Sequence, residues 1–333
     1  MKRILLIATG GTIASSESAE GLTPALDVEQ LVAYLPEMQS LCQLAGVSIM
    51  SIDSTNMNPK RMGIIAQTVA QYYDAYDGFV IAHGTDTMAY SAAALTDMLR
   101  HLNKPVVLTG SQIPMEAPDT DAKKNLSDAI RFACENIRGV FVAFDGIVIE
   151  GGHAMKCRTR SRHAFESINF PVVAQMQDKT VQYTKDIEQS AFWHAMQEKS
   201  QQAFAVQPEL CTDVFVLKLF PGIGTEIFDY IKKQFRGVVI ESFGIGGIPD
   251  ENPNLLTKIR ELAQAGVAVA ITTQCLYEGV DLDIYAVGKH LAEQPILVAG
   301  TMTTEAIVMK LMWSLAHFDT LADIKAYIES NNT

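Results

Sequence analysis

The feature that most narrows the possible folds is an alternation: short, almost wholly apolar runs rich in Val and Ile are followed repeatedly by longer stretches of helical periodicity. Runs without polar alternates suit strands buried on both faces, and strands separated by helical patterns build βαβ units around a parallel sheet. In the first half the predicted strands are Arg3–Ala8, Val47–Ile52, Gly78–His83, Pro105–Thr109 and Gly139–Phe144. The predicted helices between them are Asp27–Tyr34, Pro59–Ala75, Met88–Leu102 and Asp121–Asn136, the third carrying an apolar stripe wide enough to cover a sheet face. The pattern pauses over 185–212, which is polar, rich in Gln and Glu, and reads as a linker with a helix around Gln189–Lys199. It resumes with strands at Val214–Leu219, Gly237–Glu241, Val267–Thr272 and Ile296–Val298, and helices at Thr225–Gln234, Asn254–Ala265, Thr303–Ala316 and Leu321–Ser330. The expectation is an α/β protein with a larger N-terminal parallel-sheet domain over 1–184 and a smaller C-terminal α/β domain over 213–333. Two domains of roughly 100–200 residues each fit this length.

Composition removes several classes of function. A formal net charge of −12, with no basic run longer than Lys123–Lys124 or Lys232–Lys233, argues against nucleic acid and against an anionic membrane surface as partner. No run approaches the ~20 apolar residues of a membrane span. Lys2 and Arg3 precede apolar residues, yet that stretch ends at Ala8, shorter than the roughly 7–15 residues of an export signal's apolar core, so a cytoplasmic protein is expected. The five cysteines form no C-x-x-C pair and the seven histidines are scattered, so neither a disulfide framework nor a metal site is expected. No dinucleotide or phosphate-loop signature is present, which leaves Gly222–Gly224 and Gly244–Gly247 as tight turns and implies no cofactor.

Chemistry concentrates where the predicted strands end. TGGTIA at Thr9–Ala14 and HGTDTM at His83–Met88 each set a threonine on a glycine-permitted turn after an apolar run. Thr12 either caps the turn or presents its hydroxyl to a cleft. Asp86 either caps the following helix or orients an amino group by charge, with Thr85 beside it. A threonine hydroxyl needs a base before it becomes a nucleophile. Lys156, in MKCRTRSRHAFESIN, is either that base or one more solvated cation; its neighbours Arg158, Arg160 and Arg162 form the kind of surrounding that frees an amine for base work. His83 is read as structural, because strand alternation turns its ring away from Thr85.

These segments resemble the paired signatures of the bacterial-type L-asparaginases, and the resemblance covers essentially the whole chain. Further matches are IDSTNMNP at Ile52–Pro59, VVLTGSQIP at Val106–Pro114, FESIN at Phe165–Asn169, LFPGI at Leu219–Ile223 and TTQC at Thr272–Cys275. The resemblance implies amide hydrolysis at the carboxyl edge of the first sheet, with Thr12 as nucleophile and an acyl-enzyme intermediate. It further implies a second polar triad of Thr85, Lys156 and Asp86, and a loop of Asp53, Ser54 and Thr55 that holds the α-carboxylate and ammonium of L-asparagine, the ammonium shared with Asp86. Lys156 is identified by its spacing to Phe165 and Asn169.

The chain departs from the family in its lid, SSESAEGLTP, where Leu22 stands at the position of a tyrosine that hydrogen-bonds the nucleophile. Thr23, Ser15 or Lys156 is left to take that part. The absence of an export signal points to the cytoplasmic, type I branch, whose members form dimers or dimers of dimers. Gly244–Asp250 is then the candidate for the segment that closes a neighbour's site, and Arg160, Ser161 and Cys275 are candidates for an effector site. Two other readings stand beside the enzyme: an asparagine sensor with impaired catalysis, and an ammonia-supplying amidotransferase component.

Overall fold

Strand β1 (Lys2–Gly10) is buried on both faces from Ile4 onward, as a central strand of a covered parallel sheet must be. A computed structural model describes residues 1–18, 21–24, 26–251, 254–283 and 296–329, without the side chains of 16–18 and 21–24. β1 is flanked by β2 (Cys42–Ile52) and β3 (Gly78–Ala82), and the sheet continues through β4 (Pro105–Thr109) and β5 (Gly139–Phe144), all parallel. The resulting order β2-β1-β3-β4-β5 reverses direction between β1 and β3. Where strand order reverses, the loops at the carboxyl ends diverge and leave a crevice, the usual ligand site of an open α/β sheet.

The helices begin where side chains satisfy their first amides. α1 (Val28–Ala33) starts from a capping box in which the Asp27 carboxylate accepts from the Gln30 amide at 2.8 Å and the Gln30 side chain accepts from the Asp27 amide at 2.9 Å. α2 (Pro59–Tyr72) has proline in its first turn, and the Asn58 side chain accepts from the Arg61 amide at 3.0 Å. With α3 (Met88–Met98) and α4 (Ala122–Ala133), they cover the sheet. Ile4, Leu6, Val80, Val107 and Phe141 share one core with Leu31, Leu126, Ile130 and Phe132. The alternate residues Leu5, Ile7, Phe79 and Ile81 are equally buried on the opposite face.

Three local differences from the sequence reading have physical causes. β2 starts at Cys42 rather than Val47, because its backbone is in register with β1 from the pair Lys2 and Cys42 onward. α3 stops at Met98 rather than Leu102: Leu99–Arg100 leaves the helix to pair antiparallel with Ala205–Val206, and His101 takes a left-handed φ of 58°. Beyond β5 the sheet continues with strands the reading did not anticipate. A turn with positive φ at Asp145 (48°) and Gly146 (83°) leads into β6 (Ile147–Glu150), antiparallel to β5. β7 (Ala154–Lys156) and β8 (Phe165–Ser167) form a separate hairpin, and β9 (Ala174–Gln177) and β10 (Thr180–Tyr183) complete the eight-stranded sheet.

The stretch expected as a linker is mostly exposed but sends two side chains into the core. Short helices at Lys185–Glu188 and Ala191–Gln197 bury Ile187 and Met196 in the cluster beneath the sheet, and Trp193 packs edge-on against Tyr183 with ring centres 4.5 Å apart. The first compact unit accordingly runs from Met1 to Pro208, and the second from Glu209 to Thr333. The second unit holds four parallel strands in sequential order: β11 (Val214–Lys218), β12 (Gly237–Ser242), β13 (Ala268–Thr273) and β14 (Leu297–Val298). Leu217, Val238, Ile240, Val269 and Ile271 pack there with Phe228 and Ile259, from the helices α5 (Glu226–Gln234) and α6 (Leu255–Gln264). α7 (Thr304–His317) and α8 (Leu321–Glu329) follow, the expected helix end at Ser330 lying outside the described residues. The molecule is an α/β protein with a larger N-terminal, mostly parallel sheet and a smaller C-terminal α/β unit.

Truncating Met196 separates a packed segment from a linker. Met196→Ala should cost about 2–5 kcal/mol in urea unfolding, whereas a residue in a solvated linker would change stability by no more than about 0.5 kcal/mol.

Candidate active site

Four loops meet at the carboxyl ends of the parallel strands. Three of them fold at once into a single tight helical turn: Thr12–Ala14 after β1, Ser54–Asn56 after β2, and Thr85–Thr87 after β3. The first two are tied by the Gly11 amide, which donates to the Ile52 carbonyl at 2.9 Å. The first and third meet backbone to backbone: Gly11, at φ 80°, lies so close to Gly84 that a Cβ on it would run into the Gly84 backbone. A Cβ on Gly84 would in turn fall 2.6 Å from the Ser54 side chain. Glycine is required at both positions because the loops touch there.

The capping alternatives can now be decided. Gly11 and Gly84 occupy the N-cap positions of the first and third turns, and neither turn has a side-chain cap. Thr87 precedes α3, also without a side-chain cap. The Asp86 carboxylate instead accepts from the Lys156 amine at 2.6 Å, and the same amine donates to the Thr85 hydroxyl at 2.8 Å. Thr85 is buried and Lys156 half-buried, while Asp86 opens to solvent. Thr12 is half-buried, one residue beyond the contact between Gly11 and Gly84.

Asp53 caps the second turn, accepting from the Thr55 amide and hydroxyl at 2.8 Å each. Ser54 is buried; its hydroxyl accepts from the Asp86 amide at 3.2 Å and its carbonyl from the Thr87 hydroxyl at 2.8 Å. The Asp53–Thr55 loop and the Thr85–Thr87 turn are therefore joined by two bonds, each between a side-chain hydroxyl of one and the backbone of the other. Thr55 and Asp53 remain exposed at the crevice rim.

The cationic surrounding expected for Lys156 is not what the fold builds. Arg158 is ion-paired with Glu166 at 2.6 Å, Arg162 donates to the Asp119 carbonyl at 2.6 Å, and the charge that contacts the Lys156 amine is the Asp86 carboxylate. Arg160 and Ser161 are exposed on the turn after Lys156, and Cys275 is exposed in the second unit. Ser15 is buried and donates its hydroxyl proton to the Gly11 carbonyl at 2.9 Å. The side chains of Leu22 and Thr23 lie outside the described residues.

The fourth loop supplies a residue the sequence reading passed over. Gln112 accepts from the Thr85 hydroxyl at 3.4 Å and donates to the Ser161 carbonyl at 3.2 Å. It is held by buried polar groups beneath it: Asp121 accepts from the Gln112 and Ile113 amides at 3.0 and 2.9 Å, and Asn125 donates to the Gly110 carbonyl at 3.0 Å. The only sequence signal was its place in VVLTGSQIP, directly after a strand. Among the described residues, no group of three or more His, Cys, Asp or Glu side chains could hold a metal ion.

The fold and this cluster define an α/β protein with a hydroxyl, amine and carboxylate gathered at its switch point, and the comparisons specify the class as amide hydrolases. The chain matches the models "Asparaginase, N-terminal" over residues 3–189 and "Glutaminase/Asparaginase C-terminal domain" over residues 213–328. It is 36% identical to the L-asparaginase of Thermococcus kodakarensis, covering 99% of this chain and 97% of that one. It is 33% identical to a component of the glutamyl-tRNA(Gln) amidotransferase of Pyrococcus horikoshii, over 98% of this chain and 75% of that protein. Among solved structures, the thermostable Thermococcus enzyme superposes with a TM-score of 0.91, at 35% identity and 99% and 98% coverage. L-asparaginase I from Vibrio cholerae superposes with a TM-score of 0.87, at 30% identity and 98% and 97% coverage. The chain belongs to the asparaginase family.

His83 gives this region a measurable pH signature. It is fully buried; its Nδ1 lies 2.6 Å from the Gly84 carbonyl and its Nε2 lies 2.9 Å from the Ser91 hydroxyl. A carbonyl only accepts, so Nδ1 carries the proton and Nε2 accepts from Ser91. Burial pushes the imidazole pKa down to about 4, from 6.5. Between those values the unfolded chain binds the extra proton, so stability is complete above pH 6.5 and falls as the pH drops toward 4, by about 3 kcal/mol. Urea unfolding at pH 7 and pH 4 should show this loss, and His83→Gln should show a smaller one.

Proposed function

We propose that this chain is an L-asparaginase that hydrolyses L-asparagine to L-aspartate and ammonia without a cofactor. The observation that carries the reading is the Lys156 amine, 2.8 Å from the Thr85 hydroxyl and 2.6 Å from Asp86, beside the glycine contact that seats the Thr12 turn. In this reading the Thr12 oxygen attacks the side-chain carboxamide carbon and gives up its proton to a base. Backbone amides of the turns at Thr12 and Thr85 stabilise the resulting oxyanion, a contribution of roughly 3 kcal/mol per donor. Collapse breaks the C–N bond, the nitrogen leaves protonated as ammonia, and aspartyl remains esterified to Thr12. Thr85 and Lys156 then take a proton from water as it attacks the ester, which frees aspartate and restores the Thr12 hydroxyl.

Asp53, Ser54 and Thr55 hold the substrate's α-carboxylate and ammonium, with Asp86 as a second partner of the ammonium. Leu22 provides no hydroxyl in the lid, and the Ser15 proton is engaged by the Gly11 carbonyl. Thr23, Ser15 through its free lone pairs, or Lys156 is left to take the Thr12 proton. The chain works as a cytoplasmic homodimer or homotetramer, with Gly244–Asp250 of a neighbouring copy closing each site; light scattering on the purified protein checks the assembly.

The likeness to the amidotransferase component favours a second reading, in which the same chemistry supplies ammonia to another enzyme. Ammonia release from free asparagine in the absence of any tRNA separates the two. Thr12→Ala and Thr85→Ala should each lower that release by about 10²-fold or more, with unchanged circular dichroism. Near-normal turnover in either variant overturns the assignment of its threonine. Tight calorimetric binding of asparagine by the unmodified chain without ammonia would identify a sensor.

A further inference from the structure

The amine of Lys156 reaches the threonine cluster from a hairpin of three residue pairs: Ala154 with Ser167, Met155 with Glu166, and Lys156 with Phe165. A two-stranded ladder this short is marginal by itself. A lysine's flexible four-carbon stem does not fix its own tip, so the contact with Thr85 requires that the strand end carrying Lys156 be held. Just past the last pair, the Arg158 Nη1 donates to the Glu166 carboxylate at 2.6 Å and to the His163 carbonyl at 3.1 Å. The Cys157 amide closes the same end by donating to the Ala164 carbonyl at 2.8 Å.

Other contacts anchor the turn to the sheet. Arg162 donates to the Asp119 carbonyl at 2.6 Å, His163 lies 3.4 Å from the Asp145 carboxylate, and Gln112 donates to the Ser161 carbonyl. The Arg158–Glu166 ion pair differs from these in bridging the two arms of the hairpin, beside the strand residue that carries the amine. Both of its partners are ionised, which makes it roughly twice as strong as a neutral hydrogen bond.

We propose that Arg158 and Glu166 are a positioning pair for Lys156. Neither touches the substrate; they act by fixing where the Lys156 amine sits relative to Thr85 and Asp86. The inference rests on the asparaginase reading. Misplacing a reacting group by 1 Å costs up to about 10²-fold in rate, whereas a partly exposed ion pair contributes little to folding. The two consequences of removing the pair are therefore separable.

Arg158→Met and Glu166→Gln should each lower kcat for ammonia release about tenfold or more, with KM changed by less than about twofold and Tm by no more than about 2–4 °C. Exchanging the charges, Arg158→Glu together with Glu166→Arg, should recover much of the lost kcat. Independently of turnover, acylation footprinting read by mass spectrometry should show Lys156 reacting faster in the single variants, as its amine leaves Thr85 and Asp86. Unchanged kcat with unchanged Lys156 labelling overturns the inference, and so does a kcat loss that tracks a large fall in Tm and is not recovered by the exchange. If the unmodified chain releases no ammonia from asparagine, the asparaginase reading fails, while the Lys156 labelling still decides whether the pair positions the amine.

Discussion

The arrangement of the site depends on one contact between backbones. Gly11 and Gly84 approach at the point where the sheet reverses its strand order, at a separation that leaves no room for a Cβ on Gly11. That approach sets the turn bearing Thr12 against the turn bearing Thr85, and the amide of Gly11 joins both to the end of β2 through Ile52. Because β1 and β3 are buried on both faces and locked in register, the loops cannot drift apart without disturbing the core. Close packing of the sheet thus becomes positional accuracy at its edge.

The polar groups divide by origin. The hydroxyls of Thr12 and Thr85 and the carboxylates of Asp53 and Asp86 come from loops of the parallel sheet, whereas the amine arrives on the β7–β8 hairpin. Ser54 and Thr87 lash the sheet loops to each other through main-chain partners. Gln112 spans the two sources, contacting the Thr85 hydroxyl on one side and the turn after Lys156 on the other. The two asparaginase-family models fall one on each compact unit, and every group of this cluster belongs to the first.

The parallel strands were readable in the sequence because burial on both faces demands unbroken apolar runs such as Gly78–Ala82 and Pro105–Thr109. The antiparallel extension was not, since β9 and β10 are short and half-exposed, although the Asp145–Gly146 pair was a hairpin signal that could have been used. The polar stretch after 185 misled for a related reason. Its helices are short, and what ties them to the sheet is a few large side chains, Ile187, Trp193 and Met196. At the site, the glycine-threonine turns announced themselves by local pattern. The neighbours of Lys156 did not: three arginines nearby in sequence suggested positive charge, and only the folded hairpin brings the Glu166 carboxylate onto one of them, Arg158.

Thr85 and Lys156 stand 71 positions apart, and the amine lies downstream. A nascent chain therefore completes β1 through β5, with every hydroxyl and carboxylate of the cluster, before the residue that unites them has been synthesised. Domains fold as they emerge, and long-range closure comes late. Products of interrupted translation that end before β7 carry Thr85 and Asp86 without the amine, so the contact among the three is withheld until most of the first unit exists.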